Sequence, residues 1–160
     1  MDEAECMACD FVAHPESVPG GRIAAIGGWV VEHCVGPLGV GTVVVKPARH
    51  VVHIADLDPG EVADLGAALA RVSHAVAQAA GHAADPAAQV YATLWSHAER
   101  RPGHIHFVVQ PVGSALMQRF DAHGPTLQLR MFEANEPMDP AEMASASDRI
   151  RLLLEDEPPS

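Results

Sequence analysis

Basic residues are scarce in this chain: ten lysines and arginines stand against 21 aspartates and glutamates, a formal net charge of −11 over 160 residues. Gripping a nucleic-acid backbone needs a basic surface to neutralise phosphates, so that class of partner is excluded as a default, while a small anionic ligand held by local groups stays open. Long apolar runs are lacking too. No segment approaches the roughly 18 to 20 uninterrupted apolar residues that cross a bilayer, and Met1-Asp2-Glu3-Ala4-Glu5 is acidic where a secretory signal is basic and then apolar. These absences predict a cytoplasmic protein that partners neither membrane nor nucleic acid. Cysteine is sparse as well. Three in a reducing compartment do not make a disulfide framework, so Cys6 and Cys9, at CxxC spacing, read as metal ligands or a redox pair. Cys34 has no neighbour of its kind and reads as a small buried apolar residue.

What is present suits one domain spanning 1–160, long enough to bury a core. Residues 1–21 read as an irregular arm closing on Pro19-Gly20-Gly21. Arg22 to Ile26 and Trp29 to Glu32 read as a hairpin across Gly27-Gly28, and Val40 to Lys46 as a β-branched strand stopped by Pro47. Asp58-Pro59-Gly60-Glu61 opens a helix with a capping box, running to about Ala80, with Val62, Leu65, Leu69, Val72 and Val76 as its apolar stripe. Gln89 to Trp95 and His104 to Gln110 are two further strands, joined by a polar loop, Ser96 to Gly103, that carries His97, Arg100 and Arg101. Beyond Pro111 the pattern predicts a helical extension over 112–160, with helices near Ser114 to Asp121, Thr126 to Ala134 and Asp139 to Leu154. Internal repeats are absent.

The strand His104-Ile105-His106-Phe107-Val108-Val109-Gln110-Pro111 carries the chemistry. Alternation puts His104, His106, Val108 and Gln110 on one face and Ile105, Phe107 and Val109 on the other, with the two histidines roughly 7 Å apart along the backbone. A neutral imidazole is a capable nucleophile near pH 7, and His106 sits mid-face. If an acceptor such as a main-chain carbonyl holds one ring nitrogen, the other keeps its lone pair for attack on phosphorus. For Cys6 and Cys9 as metal ligands, two more donors are needed, with His50, His53 and His104 as candidates. Two thiolates with two imidazoles favour a closed, structural zinc.

The order of these features resembles the histidine triad superfamily of nucleotide hydrolases and transferases, in particular its bacterial-type zinc-bearing members. The resemblance rests on CxxC at 6–9, Gly41-Thr42-Val43-Val44-Val45-Lys46-Pro47-Ala48-Arg49-His50, a capped helix and the histidine strand, spanning roughly 6–111. It implies an α+β fold with an antiparallel sheet of about five strands, one long helix packed on it, and a twofold homodimer. It implies that Cys6, Cys9, His50 and His104 hold zinc, leaving His53 at the surface. It implies further that His106 attacks the α-phosphorus of a small nucleotide, forming a nucleotidyl-histidine that water or another acceptor resolves.

The triad is incomplete. Val108 stands at the third histidine position and cannot donate a hydrogen bond. Gln110 faces the same way one strand repeat on, and Cys34 occupies the position where many relatives carry an acidic or amide residue for the ribose hydroxyls. Ser96, His97, Arg101 and Gln110 are therefore the candidate substrate-binding residues. Three functions follow from these residues: hydrolysis or transfer at a phosphoanhydride or phosphoramidate bond; a catalytically impaired nucleotide-sensing or partner-binding module on the same fold; and a metal enzyme in which the ion is catalytic, His106 is one of its ligands and a coordination position stays open.

Overall fold

The computed structural model describes residues 6–98 and 101–156, with the backbone alone at 97, 98, 101 and 102. Five strands form one antiparallel sheet: β1 (Arg22–Ile26), β2 (Trp29–His33), β3 (Val43–Pro47), β4 (Gln89–Ala98) and β5 (Arg101–Val112), in the spatial order β1-β2-β3-β5-β4. Together with the helices this is the α+β architecture the sequence predicts. The β1–β2 turn requires glycine at Gly27, whose φ is +55° and whose place a Cβ would take only 1.9 Å from an Asp64 carboxylate oxygen. β3 starts at Val43 rather than Val40 because Gly39 and Gly41 both take φ near +90°, which turns the chain until Thr42.

The first helix, α1 (Met7–Ala13), lies inside the stretch expected to be irregular, with Cys6 at its N-cap and Cys9 in its first turn. Helix α2 (Pro59–Ala79) carries the expected capping box: Glu61 N–H donates to Asp58 Oδ1 and Asp58 N–H to Glu61 Oε2, each at 2.8 Å. Its buried stripe centres on Ala68, Val72, Ala75 and Val76, and Val62 is 58% exposed, against expectation. At 100° per residue Val62 falls about 80° from Val72, at the margin of the stripe, where alanines rather than valine take the sheet contact.

Both faces of the sheet are covered. On one, α2 and α5 (Pro140–Asp156) pack with Trp29, Val31, Val45 and Val109 into the larger core, and Ile150 is fully buried there. On the other, α3 (Ser114–Phe120) and α4 (Gly124–Ala134) bury Cys34, Leu38, Val108 and Leu127 in a second cluster. The helical extension is thus a wall of the molecule. No helix among the described residues is long and apolar enough to cross a membrane.

The segment expected as a loop over 96–103 is the end of a hairpin. Backbone pairing continues through His97 with Pro102 and Ala98 with Arg101, after a register shift between Trp95 and His97. Arg100 and the side chains of His97 and Arg101 lie outside the described residues.

Candidate active site and metal centre

The metal-ligand prediction becomes a geometry once α1 lies against the start of β5. Donor atoms of Cys6, Cys9, His50 and His104 all lie within 4.8 Å of one another. Cys9 Sγ is 3.3 Å from His50 Nδ1 and 3.4 Å from His104 Nδ1, and Cys6 Sγ is 3.8 Å from His104 Nδ1. Tetrahedral zinc, with bonds of about 2.3 Å to sulfur and 2.0–2.1 Å to nitrogen, sets neighbouring S and N donors roughly 3.5 Å apart. The spacing therefore fits, and four protein donors fill the coordination shell, which suits a structural zinc and leaves no open position for a catalytic one.

The surroundings hold the donors in place. His104 Nε2–H donates to the Pro47 carbonyl at 2.8 Å, which leaves Nδ1 unprotonated toward the thiols. Burial first, with nearby Lys46 and the His50 and His106 rings adding to it, takes His104 down to about 4 against the pull of the Pro47 carbonyl, so the ring is neutral and able to ligate. The turn bearing His50 is fixed by its neighbour: Arg49 Nε and Nη2 reach the two Glu61 oxygens at 2.8 and 2.6 Å, tying that turn to the cap of α2. His53 is exposed and stands outside the cluster.

Two residues along β5, His106 turns toward a different space. Its Nδ1–H donates to the His104 carbonyl at 3.0 Å, which assigns the unprotonated nitrogen to Nε2. Burial pushes its pKa below the ordinary value, the carbonyl opposes that, and the Lys46 charge adds to it, so the ring is neutral near pH 7. His106 lines a cavity of about 410 Å³, within the range of small-ligand sites. α1 supplies Met7, Ala8 and Phe11 to one wall, and Trp95 with Phe132 closes another, their rings stacked 5.0 Å apart.

Other candidates fare differently. Val108 lines the cavity but is 2% exposed within the second apolar cluster. Gln110 corrects the expectation of a ligand contact. It is fully buried, its Nε2 donates to the Leu38 carbonyl at 3.0 Å and its Oε1 accepts from Gln128 at 3.1 Å, and it is not part of the cavity lining. The reason is α4, which brings Gln128 over that end of the strand. Ser96 is half-buried on β4 and is likewise not part of the lining. Cys34 is buried at the cavity as a small apolar residue, and burial pushes its thiol up to about 11, so it stays protonated.

Sequence reasoning missed Glu32, His33 and Lys46, which also line the cavity. Lys46 Nζ donates to Glu32 Oε1 in a pair whose side chains are 1% and 4% exposed. Burial raises the Glu32 pKa and lowers that of Lys46, and the charge of each opposes the shift in the other. The available signal was a charged residue within each of two otherwise apolar strands.

Solved structures with the same arrangement settle the fold. The chain has the histidine triad fold. A zinc-bound histidine triad family protein from Mycobacterium smegmatis superposes with a TM-score of 0.63 at 20% identity, over 96% of both chains. A Hit-like protein from Bartonella henselae gives 0.67 at 13% identity over 96% of this chain and 98% of that one. A uridylyltransferase gives 0.64 at 22% identity, covering 95% of this chain and 46% of that one. No protein-family model and no curated protein matches the sequence. Within a histidine triad fold, the zinc ligands read from the ordered motif meet at one point, and the zinc-bound neighbour accords with them.

Proposed function

We propose that the protein is a nucleotide-binding hydrolase or nucleotidyltransferase acting at an α-phosphorus, with His106 as nucleophile and zinc as a structural pin. In this reading it works in the cytoplasm as a homodimer, as the motif resemblance implies. The observation that carries the reading is the tautomer of His106, whose Nδ1–H is committed to the His104 carbonyl beside a cavity of ligand size. Nε2 gives its lone pair to phosphorus as the bond to the leaving group breaks. The leaving group departs with the electron pair of its own bond to phosphorus and takes a proton from solvent. Water or another hydroxyl acceptor then attacks phosphorus and gives its proton to solvent, the P–N bond breaks, and its electron pair returns to Nε2. Cys6, Cys9, His50 and His104 would hold the zinc, which would fix His104 in place and with it the carbonyl that orients His106.

A second reading is favoured by Val108, whose burial among apolar side chains leaves the third triad position without a donor. It is a nucleotide-binding module without turnover. One experiment separates the two. Against a nucleoside phosphoramidate and a dinucleoside polyphosphate, His106→Ala should lower kcat by about 100-fold or more while nucleotide binding persists. Turnover unchanged in that variant overturns the nucleophile assignment, and saturable binding by the native protein with no product after long incubation establishes the module instead.

A further inference from the structure

Of the charged groups that line the cavity, Glu32 and Lys46 are the two the proposed chemistry does not use. A buried ion pair is a poor source of stability, since two charges leave water to form it and an apolar pair of similar volume is commonly as stable. This one is also unfinished. Glu32 Oε2 is buried and has no hydrogen-bond partner among the described residues, and a carboxylate oxygen in that state is costly. Lys46 can donate three hydrogen bonds, and its ammonium lies 5.4 Å from the centre of the Phe11 ring on α1. The polar tips thus meet at an otherwise apolar wall, under an aromatic ring.

Sheet register fixes where this lies relative to the chemistry. Val45 pairs with Phe107 and Val44 with Val108, so continuing the ladder by one residue sets Lys46 across from His106. Lys46 then reaches toward β2, where Glu32 pairs with Val44. From the strand of His106 to that of Glu32 is two strand spacings, about 10 Å. A nucleotide with its phosphorus at His106 would place its base over Val44, beside the pair and beneath Phe11.

We infer that Glu32 and Lys46 read the base, with Glu32 Oε2 accepting a ring N–H and Lys46 Nζ donating to the adjacent carbonyl. The inference rests on the nucleotide-binding reading above. A keto base of the guanine type, with N1–H beside O6, has that order of donor and acceptor, and uracil shares it. Adenine presents the reverse, a bare ring nitrogen toward the carboxylate and an amino group toward the ammonium. A site built on paired polar groups rejects a mismatched partner strongly, because its own groups are then left unmet.

Isothermal titration of the zinc-loaded, full-length protein with nucleoside 5′-monophosphates tests this. GMP should bind at least about tenfold more tightly than AMP. 1-Methyl-GMP, which lacks the N1–H, should lose that advantage in the unaltered protein. The double variant E32L/K46L should bind GMP and AMP within about twofold of each other, and apolar replacement of the whole pair is the change expected to preserve the fold. If the variant fails to fold, the methylated ligand alone decides. Equal affinity for GMP and AMP, or for GMP and its N1-methyl derivative, overturns the inference while leaving nucleotide binding intact. No binding of any nucleotide overturns it together with the proposed function.

Discussion

His33 shows how one buried side chain can stiffen the rim of a site and give the protein a pH dependence. It lines the cavity at 1% exposure, its Nδ1–H donates to the Cys34 carbonyl at 2.8 Å, and its Nε2 accepts from Gly41 N–H at 2.9 Å. Protonating Nε2 would break the second bond, and burial lowers the folded pKa below 6.5 against the pull of the Cys34 carbonyl. The unfolded chain then takes up the proton first. The contribution of His33 is full above about pH 6.5 and declines as pH falls through that value toward the folded pKa. Thermal melts between pH 7.5 and 5.5 should show a steeper fall for the native protein than for His33→Gln, and parallel slopes would remove His33 from the account. This histidine looked like any other in the sequence, since its second partner, Gly41 N–H, is brought back to it by the turn that Gly39 and Gly41 create.

At the scale of elements, α1 is the one to watch. None of its residues is buried, so little apolar contact holds it, yet Met7, Ala8 and Phe11 form a wall of the cavity. Its attachments are Cys6 and Cys9 at the zinc cluster, the Arg22 guanidinium on the Val12 carbonyl at 2.6 Å, and Phe11 against Lys46. Ligand binding is therefore expected to depend on the metal through a helix. Stripping zinc with a chelator should release amide protection across residues 6–14 while α2 keeps its own, and should weaken nucleotide binding about tenfold. Hydrogen exchange read by mass spectrometry checks both helices at once. An α1 that stays protected after full zinc removal would show that the metal does not hold it. The capped helix α2 was legible from Asp58-Pro59-Gly60-Glu61 because a capping box is local. α1 was not, since its CxxC reads equally as an irregular clasp.

Across the whole molecule the two faces of the sheet divide their work. α2 and α5 build the larger core on one face, whereas α3 and α4 close the cavity side. Ile150→Ala should cost about 2–5 kcal/mol of stability and leave ligand affinity intact, because its contacts are on the far face. Phe132→Ala should do the reverse. Its ring is 38% exposed and stacks on Trp95 at the cavity, so affinity should fall by roughly 2- to 12-fold, the equivalent of about 0.5–1.5 kcal/mol, with little change in stability. Chemical denaturation and titration of both variants measure the division. Equal effects of the two on both quantities would mean that the faces are not independent.

Alternation, capping and turn chemistry act within a few residues, so the strand of His104 and His106, the capped helix and the helical extension could all be read from the chain. The resemblance of the ordered motifs to the histidine triad superfamily singled out the zinc ligands, whereas spacing alone left His50, His53 and His104 open, and the folded cluster of Cys6, Cys9, His50 and His104 decided between them. The pairing of Lys46 with Glu32, the withdrawal of Gln110 beneath α4 and the wall made by Phe11 and Phe132 depend on register and packing between segments far apart in sequence. Cross-strand register decides which side chains are neighbours, and burial decides which polar atoms have spent their hydrogen bonds. Neither is a property of any local stretch, so His106 could be proposed as a nucleophile from sequence while the cavity it lines emerged only in three dimensions.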